Sequence, residues 1–457
     1  MRSVARTASH ASGRRATGVP SVHRRCAVIS AALLALTLTA LAAPAQWPWE
    51  KAEPEPEPVY PGVTVSADDL VAGTRDAGVV LLDARSLEAY VAGHVPGAIS
   101  APAPSLPGPP ATAEALGRLG LSGEERVVCY GDGAISEEAS RLFWLLESAG
   151  ASDVAVLAGG FEAWVRAGGA ADSRDSSRRR TTWTRESDPG RWATLEHVGA
   201  SFGEKGFELV DARGWDLWEG EPQVPGAAPP GAPPGRRTGH IPHALPFDFR
   251  EFLSTDGALR RPEDTRATFA RLGPRPSSPV DLQDEFIVYG QGGSADGAVG
   301  YYLLRRAGVA RVSYYPGGFD EWSSRPDLPV TRVIHAEEIQ ARLNLEPRLL
   351  VPDSPPQAFV LLDVRHDRDF GIGHIPGAVN LQSHVFADSL DSTVARHWPS
   401  ADRSSIPIIS YCYGPSCIRS RNCSTMAARA GFVNTERFYG GIEEWRGIGA
   451  PVIRAAQ

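Results

Sequence analysis

Cysteine is scarce, with five in 457 residues. A small secreted fold held together by disulfides would carry a far denser set, so that class is excluded. Basic charge is not in excess either. Against 46 Lys and Arg stand 54 Asp and Glu, giving a net charge of −8 and a pI near 5.8. That balance leaves no general surface for DNA or RNA, and no nucleic-acid partner is expected. What is present is a composition 42% hydrophobic and 22% charged, with 38 Pro and 47 Gly. This describes a soluble globular protein with many tight turns and linkers, and the length suits two to four domains.

The N-terminus departs from that average. Arg14, Arg15, Arg24 and Arg25 precede an uncharged apolar run from Ala27 to Ala43, which ends at the small-residue site Ala43-Pro44-Ala45. Residues 1–45 therefore read as an export signal, and a periplasmic or other extracytoplasmic location is expected. Left uncleaved, the same run is just long enough to anchor the chain, the one route to membrane association. Cys26 precedes the run and leaves with the signal. Residues 46–62 are rich in Pro and Glu and read as an extended linker.

Three of the four remaining cysteines sit within "SYCYGPSCIRSRNCS", Ser410 to Ser424. Such a cluster serves a metal, a local disulfide or a reactive thiol. Zinc sites pair Cys-x2-Cys with a second pair elsewhere, and no second pair exists, so no metal is expected. His366, His374 and His384 lie near in sequence, but His374 belongs to a turn found three times.

Internal repetition is the strongest signal in the chain. "VVLLDARSLEAYVAGHVPGAI" (79–99), "FELVDARGWDLW" resuming at "GHIPHAL" (207–245) and "FVLLDVRHDRDFGIGHIPGAV" (359–379) share a strand ending in Asp-x-Arg, a short helix, and Gly-His-[Val/Ile]-Pro. Each is followed by an apolar strand, a Gly-rich loop, a helix, another strand and Gly-Gly-[Phe/Ile]-x-x-Trp. Short β-branched runs alternating with amphipathic helices imply an α/β fold: three tandem units, each a mostly parallel sheet with helices on both faces. Expected boundaries are 63–171 for unit one, an exposed linker at 172–190, 191–331 for unit two and 332–457 for unit three. Unit two carries a Pro/Gly insertion at 222–239, and units two and three are expected to pack closely. Asp83, Asp211 and Asp363 read as structural partners of Arg85, Arg213 and Arg365. The repeated His94, His240 and His374 also read as structural, and Trp164, Trp322 and Trp445 as core.

Together these motifs resemble the rhodanese family over about Val63 to Ile453, and units one and two resemble its tandem thiosulfate sulfurtransferases. The resemblance implies small α/β domains, a sulfurtransferase activity without a cofactor, and one catalytic cysteine directly after the Tyr that ends the central strand. In unit one that position is Gly131, after Tyr130, and in unit two Gly290, after Tyr289. Only unit three carries the thiol, Cys412 after Tyr411. Cys129 lies inside its strand and Cys423 on a helix, and both read as packing.

A thiol of ordinary pKa is mostly protonated at neutral pH and needs local positive potential to act. A strand–loop–helix junction supplies it through loop amides and the N-terminus of a helix beginning near Ile418, with Arg419 and Arg421 at its start. Cys412 is expected to take sulfur from thiosulfate or a similar donor and hand it to cyanide or a thiol. Tyr413, Gly414, Ser416, Arg419 and Ser420 would bind substrate. The loop departs from the commonest family pattern, with six rather than four residues between Cys412 and Arg419, so a wider pocket is expected and phosphatase-like or redox chemistry stays open. Cys417 is a candidate resolving thiol. A non-enzymatic binding array is the remaining alternative.

Overall fold

The computed structural model describes residues 62–73, 78–109, 111–220, 237–255, 257–271, 280–343, 355–356 and 358–454. The export segment, most of the 46–62 linker and most of the 222–239 insertion lie outside the described residues. Three parallel sheets follow one another along the chain. The first orders its strands Thr64–Val65, Val154–Leu157, Arg126–Tyr130, Val79–Asp83, Ile99–Ser100; the third orders them Val330–Ile334, Asn434–Phe438, Ile408–Tyr411, Val360–Asp363, Val379–Asn380. The second has four strands, Leu245–Pro246, Phe207–Asp211, Glu285–Tyr289 and Val312–Tyr315. Central strands such as Ile408–Tyr411 are buried along their whole length, as continuous apolar runs in helix-covered parallel sheets must be.

The repeated motifs have repeated physical causes. Asp83, Asp211 and Asp363 are fully buried, and each is held by the Arg two residues on, at 2.6, 2.5 and 2.6 Å. The same guanidinium donates to the carbonyl of the Gly before the repeated His, at 2.7 Å from Arg85 to Gly93, 2.7 Å from Arg213 to Gly239 and 2.9 Å from Arg365 to Gly373. The Tyr ending each central strand accepts the backbone N–H that follows that His, at 3.1 Å in all three units. His94, His240 and His374 stack on Tyr90, Trp218 and Phe370 with centroids 3.8, 4.3 and 3.7 Å apart. A buried polar network of this kind fixes the mouth of each sheet, because leaving any member unpaired in the interior is costly.

The structure adds detail at two boundaries. Residues 172–190 are exposed or partly exposed except for Trp183 and run back over unit one: Thr181 N–H bonds to the Gly117 carbonyl at 3.0 Å, and the indole of Trp183, only 9% exposed, donates to Ala149 at 2.8 Å. The aromatic anchor inside a polar stretch outweighed the charge run around it. The division between 331 and 332 also cuts a strand, since Val330–Ile334 forms the edge of the third sheet beside Asn434–Phe438. Thr331 at the same time exchanges backbone bonds with His240 of unit two, at 2.8 and 2.9 Å.

One apolar cluster runs through units one and two. Phe143 and Trp144 of the helix Glu137–Ser148 pack against Tyr301, Tyr302 and Tyr314. Beside them Glu147 accepts from Tyr301 at 2.6 Å and from Arg305 at 2.9 Å. Units two and three meet along the helix Ile418–Arg429, where Ala428 enters unit two's core, Arg421 donates to the His243 carbonyl at 2.5 Å, and Arg429 bonds to Phe202 at 3.0 Å and pairs with Glu204.

Candidate active site

The loop after Tyr411 is built between the central strand Ile408–Tyr411 and the helix Ile418–Arg429. The helix's first turn has free amide groups and the positive end of its dipole at this junction. On the opposite side the loop is clamped by Gly-Gly-Ile: Ile442 N–H donates to the Cys412 carbonyl at 3.1 Å and Glu443 N–H to Tyr413 at 3.0 Å. Gly441 sits at φ +59, and a Cβ there would meet the Cys412 carbonyl oxygen at 2.5 Å. The repeated second glycine is thus dictated by the close approach of two backbones. Units one and two repeat the clamp, with Phe161 and Phe319 donating to Gly131 and Gly290 at 2.9 Å.

Cys412 and Cys417 are joined in a disulfide, with Cα atoms 6.3 Å apart. They are 1% and 8% exposed and pack under Tyr413 in the cluster that includes Trp398 and Phe432. The bridge folds the loop onto itself. Cys129, in unit one, and Cys423, in the same apolar cluster as the bridge, are buried free thiols; desolvation raises Cys129 far above the ordinary thiol range and pushes Cys423 up to about 12. Neither is placed to ionise.

The residues expected to bind substrate do not form one surface. Ser416 is exposed on the loop and Arg419 is half-buried at the helix start, its guanidinium 5.8 Å from the centre of the Tyr413 ring. The Tyr413 hydroxyl is taken by Asp369, and burial together with that carboxylate raises its pKa. Gly414 is buried against Glu443; a Cβ there would meet Oε2 at 2.5 Å. Ser420 departs most from expectation: it is 1% exposed, and its hydroxyl accepts from Arg437 Nε at 3.2 Å, turned into the protein beneath the loop. Asp363, Arg365 and His374 belong to the network at the sheet mouth; His374 Nδ1 lies 3.0 Å from the Phe370 carbonyl.

Sequence reasoning missed Arg437, whose Nη2 reaches the Cys417 carbonyl at 3.4 Å. The available signal was an arginine inside a strand, Asn434–Phe438, that is buried over four of its five residues. Among the described residues no group of three His, Cys, Asp or Glu is placed to hold a metal ion. No described helix is long and apolar enough to cross a membrane.

The equivalent positions in the other units are closed to a thiol. A Cβ on Gly131 would lie 1.9 Å from Ser136 Oγ, the hydroxyl that caps the following helix, and one on Gly290 would meet Ser294 Oγ at 2.8 Å and Gly297 N at 2.9 Å. Comparison with known proteins agrees with the threefold plan: the profile of the rhodanese-like domain matches residues 66–167, 194–325 and 349–447. The chain belongs to the rhodanese family. The 3-mercaptopyruvate sulfurtransferase of Escherichia coli K12 is 27% identical over 290 residues, 59% of this chain and 98% of its own. Thiosulfate sulfurtransferase of Cricetulus griseus is 29% identical over 289 residues, 58% and 92% of the two chains. Among solved structures, the E. coli 3-mercaptopyruvate enzyme SseA aligns with a TM-score of 0.46 at 23% identity, covering 56% of this chain and 98% of that one. A complex of EanB with ergothioneine aligns at 0.49 and 22%, covering 59% and 69%. The curated relatives support an enzyme of sulfurtransferase type within this rhodanese family.

Proposed function

We propose that the chain is an exported sulfurtransferase that moves a sulfane sulfur from thiosulfate or a similar donor to cyanide or a thiol through a persulfide on Cys412. The observation that carries this reading is positional. Of three equivalent strand-end loops, one bears a cysteine after its Tyr, and the other two have no room for a side chain at that place. The Arg-preceded apolar run at 27–43 supports export.

The disulfide must first be opened by a thiol, since a bridged sulfur is no nucleophile. The free Cys412 thiolate, favoured by the helix N-terminus and by Arg419, attacks the outer sulfur of thiosulfate. An S–S bond forms to Cys412, and sulfite leaves with the electron pair of the broken bond. The acceptor then attacks the outer sulfur of the persulfide; thiocyanate or a new persulfide departs and the Cys412 thiolate returns. Cys417 already lies within bonding distance and offers a second exit. Its thiolate attacks the inner sulfur, the Cys412–Cys417 bridge forms and hydrosulfide leaves, after which a thiol reductant resets the loop.

The decisive assay is thiosulfate-dependent thiocyanate formation by the reduced protein, with mass spectrometry of the Cys412 peptide. Cys412→Ser is expected to abolish both signals, and unchanged turnover in that variant sinks the assignment. The bridge itself favours a second reading, a thiol–disulfide oxidoreductase using Cys412 and Cys417. Reduction of a disulfide substrate by the reduced chain, without any persulfide after thiosulfate treatment, selects that reading.

A further inference from the structure

A cavity of about 240 Å³ opens at the seam of units two and three. Its lining is cationic, with Arg421 and Arg437 from unit three and Arg271 from unit two, walled by Trp215 and Tyr439. Glu251, exposed at the rim, also lines it.

The two deep arginines are incompletely partnered. Arg437 is 5% exposed; its bonds go to the Ser420 hydroxyl at 3.2 Å and the Cys417 carbonyl at 3.4 Å, and its guanidinium stands 4.7 Å from the Tyr439 ring. Among the described residues it meets no carboxylate. Burial and the neighbouring Arg421 push its pKa down to about 10. Arg421 is 7% exposed; it donates to the His243 carbonyl at 2.5 Å and reaches Glu208 at 3.4 Å, and its buried Nε has no hydrogen-bond partner. Four other buried arginines, Arg85, Arg213, Arg332 and Arg365, each hold a carboxylate at 2.5–2.6 Å, whereas Arg306 has the Thr265 hydroxyl and, like Arg421, an unpartnered Nε. Two buried guanidiniums converging on one cavity, with unused donors, are costly unless an anion supplies the missing acceptors. Their planar forks suit the oxygens of a sulfur or phosphorus oxyanion.

We infer that this cavity is a second ligand site, taking a small molecule with a tetrahedral oxyanion head bound by Arg421 and Arg437 and admitted past Arg271. It borders the Cys412–Cys417 loop through Pro415, and Arg437 approaches the same loop through the Cys417 carbonyl. An occupant would neutralise charge next to the helix start that favours the thiolate.

The test is independent of sulfur transfer, since it uses the full-length Cys412→Ser chain. Sulfate, thiosulfate and phosphate are titrated against chloride at equal ionic strength, read by calorimetry and by the fluorescence of Trp215 and Trp218. One saturable site for at least one of the three, retained in an added Arg419→Gln change and weakened about ten-fold or more by Arg437→Gln, is expected. Preference among the three assigns the head to sulfur or phosphorus chemistry. No binding above the chloride control, binding lost with Arg419→Gln, or affinity unmoved by Arg437→Gln overturns the site. Thermal unfolding shows whether Arg437→Gln still folds. If it does not, Arg271→Gln at the exposed rim decides: reduced affinity upholds the site, and unchanged affinity overturns it.

Discussion

His240 should make the stability of this protein depend on mild acid. Its ring is 3% exposed, stacks on Trp218 and lies with Nδ1 2.7 Å from the Trp218 carbonyl. Burial, with added repulsion from Arg213, Arg437 and Arg421, lowers its pKa from 6.5 to about 3. The folded state thus binds fewer protons than the unfolded chain. Stability is complete above pH 6.5 and is lost as the pH falls toward 3, below which the folded ring is protonated too. Each pH unit inside that window costs about 1.4 kcal/mol, so going from pH 7 to pH 5 should remove about 2 kcal/mol through this residue. His243, buried beside Arg421, is shifted in the same direction. The assay is urea unfolding followed by tryptophan fluorescence at pH 7 and pH 5, for the wild type and His240→Gln. The variant should start less stable at pH 7, having lost the stacked ring, yet lose about 2 kcal/mol less between the two pH values. Equal losses in both proteins would refute the reasoning.

After reduction, alkylation of the native chain at neutral pH should label Cys412 and Cys417 and spare Cys129 and Cys423, as peptide mass spectrometry will show; rapid labelling of Cys423 contradicts its burial. Gly131→Cys and Gly290→Cys should gain no persulfide on thiosulfate treatment and should lower the unfolding temperature, because each new Cβ meets Ser136 or Ser294 inside 3 Å. Tyr301→Phe removes the donor 2.6 Å from Glu147 and should cost about 1.5–3 kcal/mol in urea unfolding while leaving persulfide formation on Cys412 unchanged.

The sheets, their parallel order and the equivalence of three loops were legible because repetition triples every signal. Asp-x-Arg, Gly-His-x-Pro and Gly-Gly-x-x-x-Trp each mark a place where backbone from two segments must meet, so the same residues recur. The Trp pattern is explained by indole donors closing each unit, Trp164 to Ala170, Trp322 to Pro329 and Trp445 to Pro451, at 2.7–2.8 Å. What local reading could not supply was anything depending on contacts between units. Residues 172–190 look polar and loose until Trp183 is seen in unit one's core, and a boundary at 331 ignores a strand whose partner is a hundred residues away. Ser420 looked like a loop-facing hydroxyl because helix phase alone does not reveal Arg437 on the neighbouring strand. Arg437 was passed over for the same reason: a charge in the polar-looking strand Asn-Thr-Glu-Arg-Phe has meaning only once its burial and the cavity beside it are known.

The strand Val330–Ile334 gives its first two residues to both neighbours, closing unit two through Thr331 and His240 while edging the sheet of unit three. No cut within it leaves both sides whole. A protease or a recombination event that separated the thiol-bearing unit from the silent ones would strip one of them of a sheet edge or a closing bridge. The thiol-bearing unit and its neighbour are thereby mechanically interdependent, each relying on an element the other also uses.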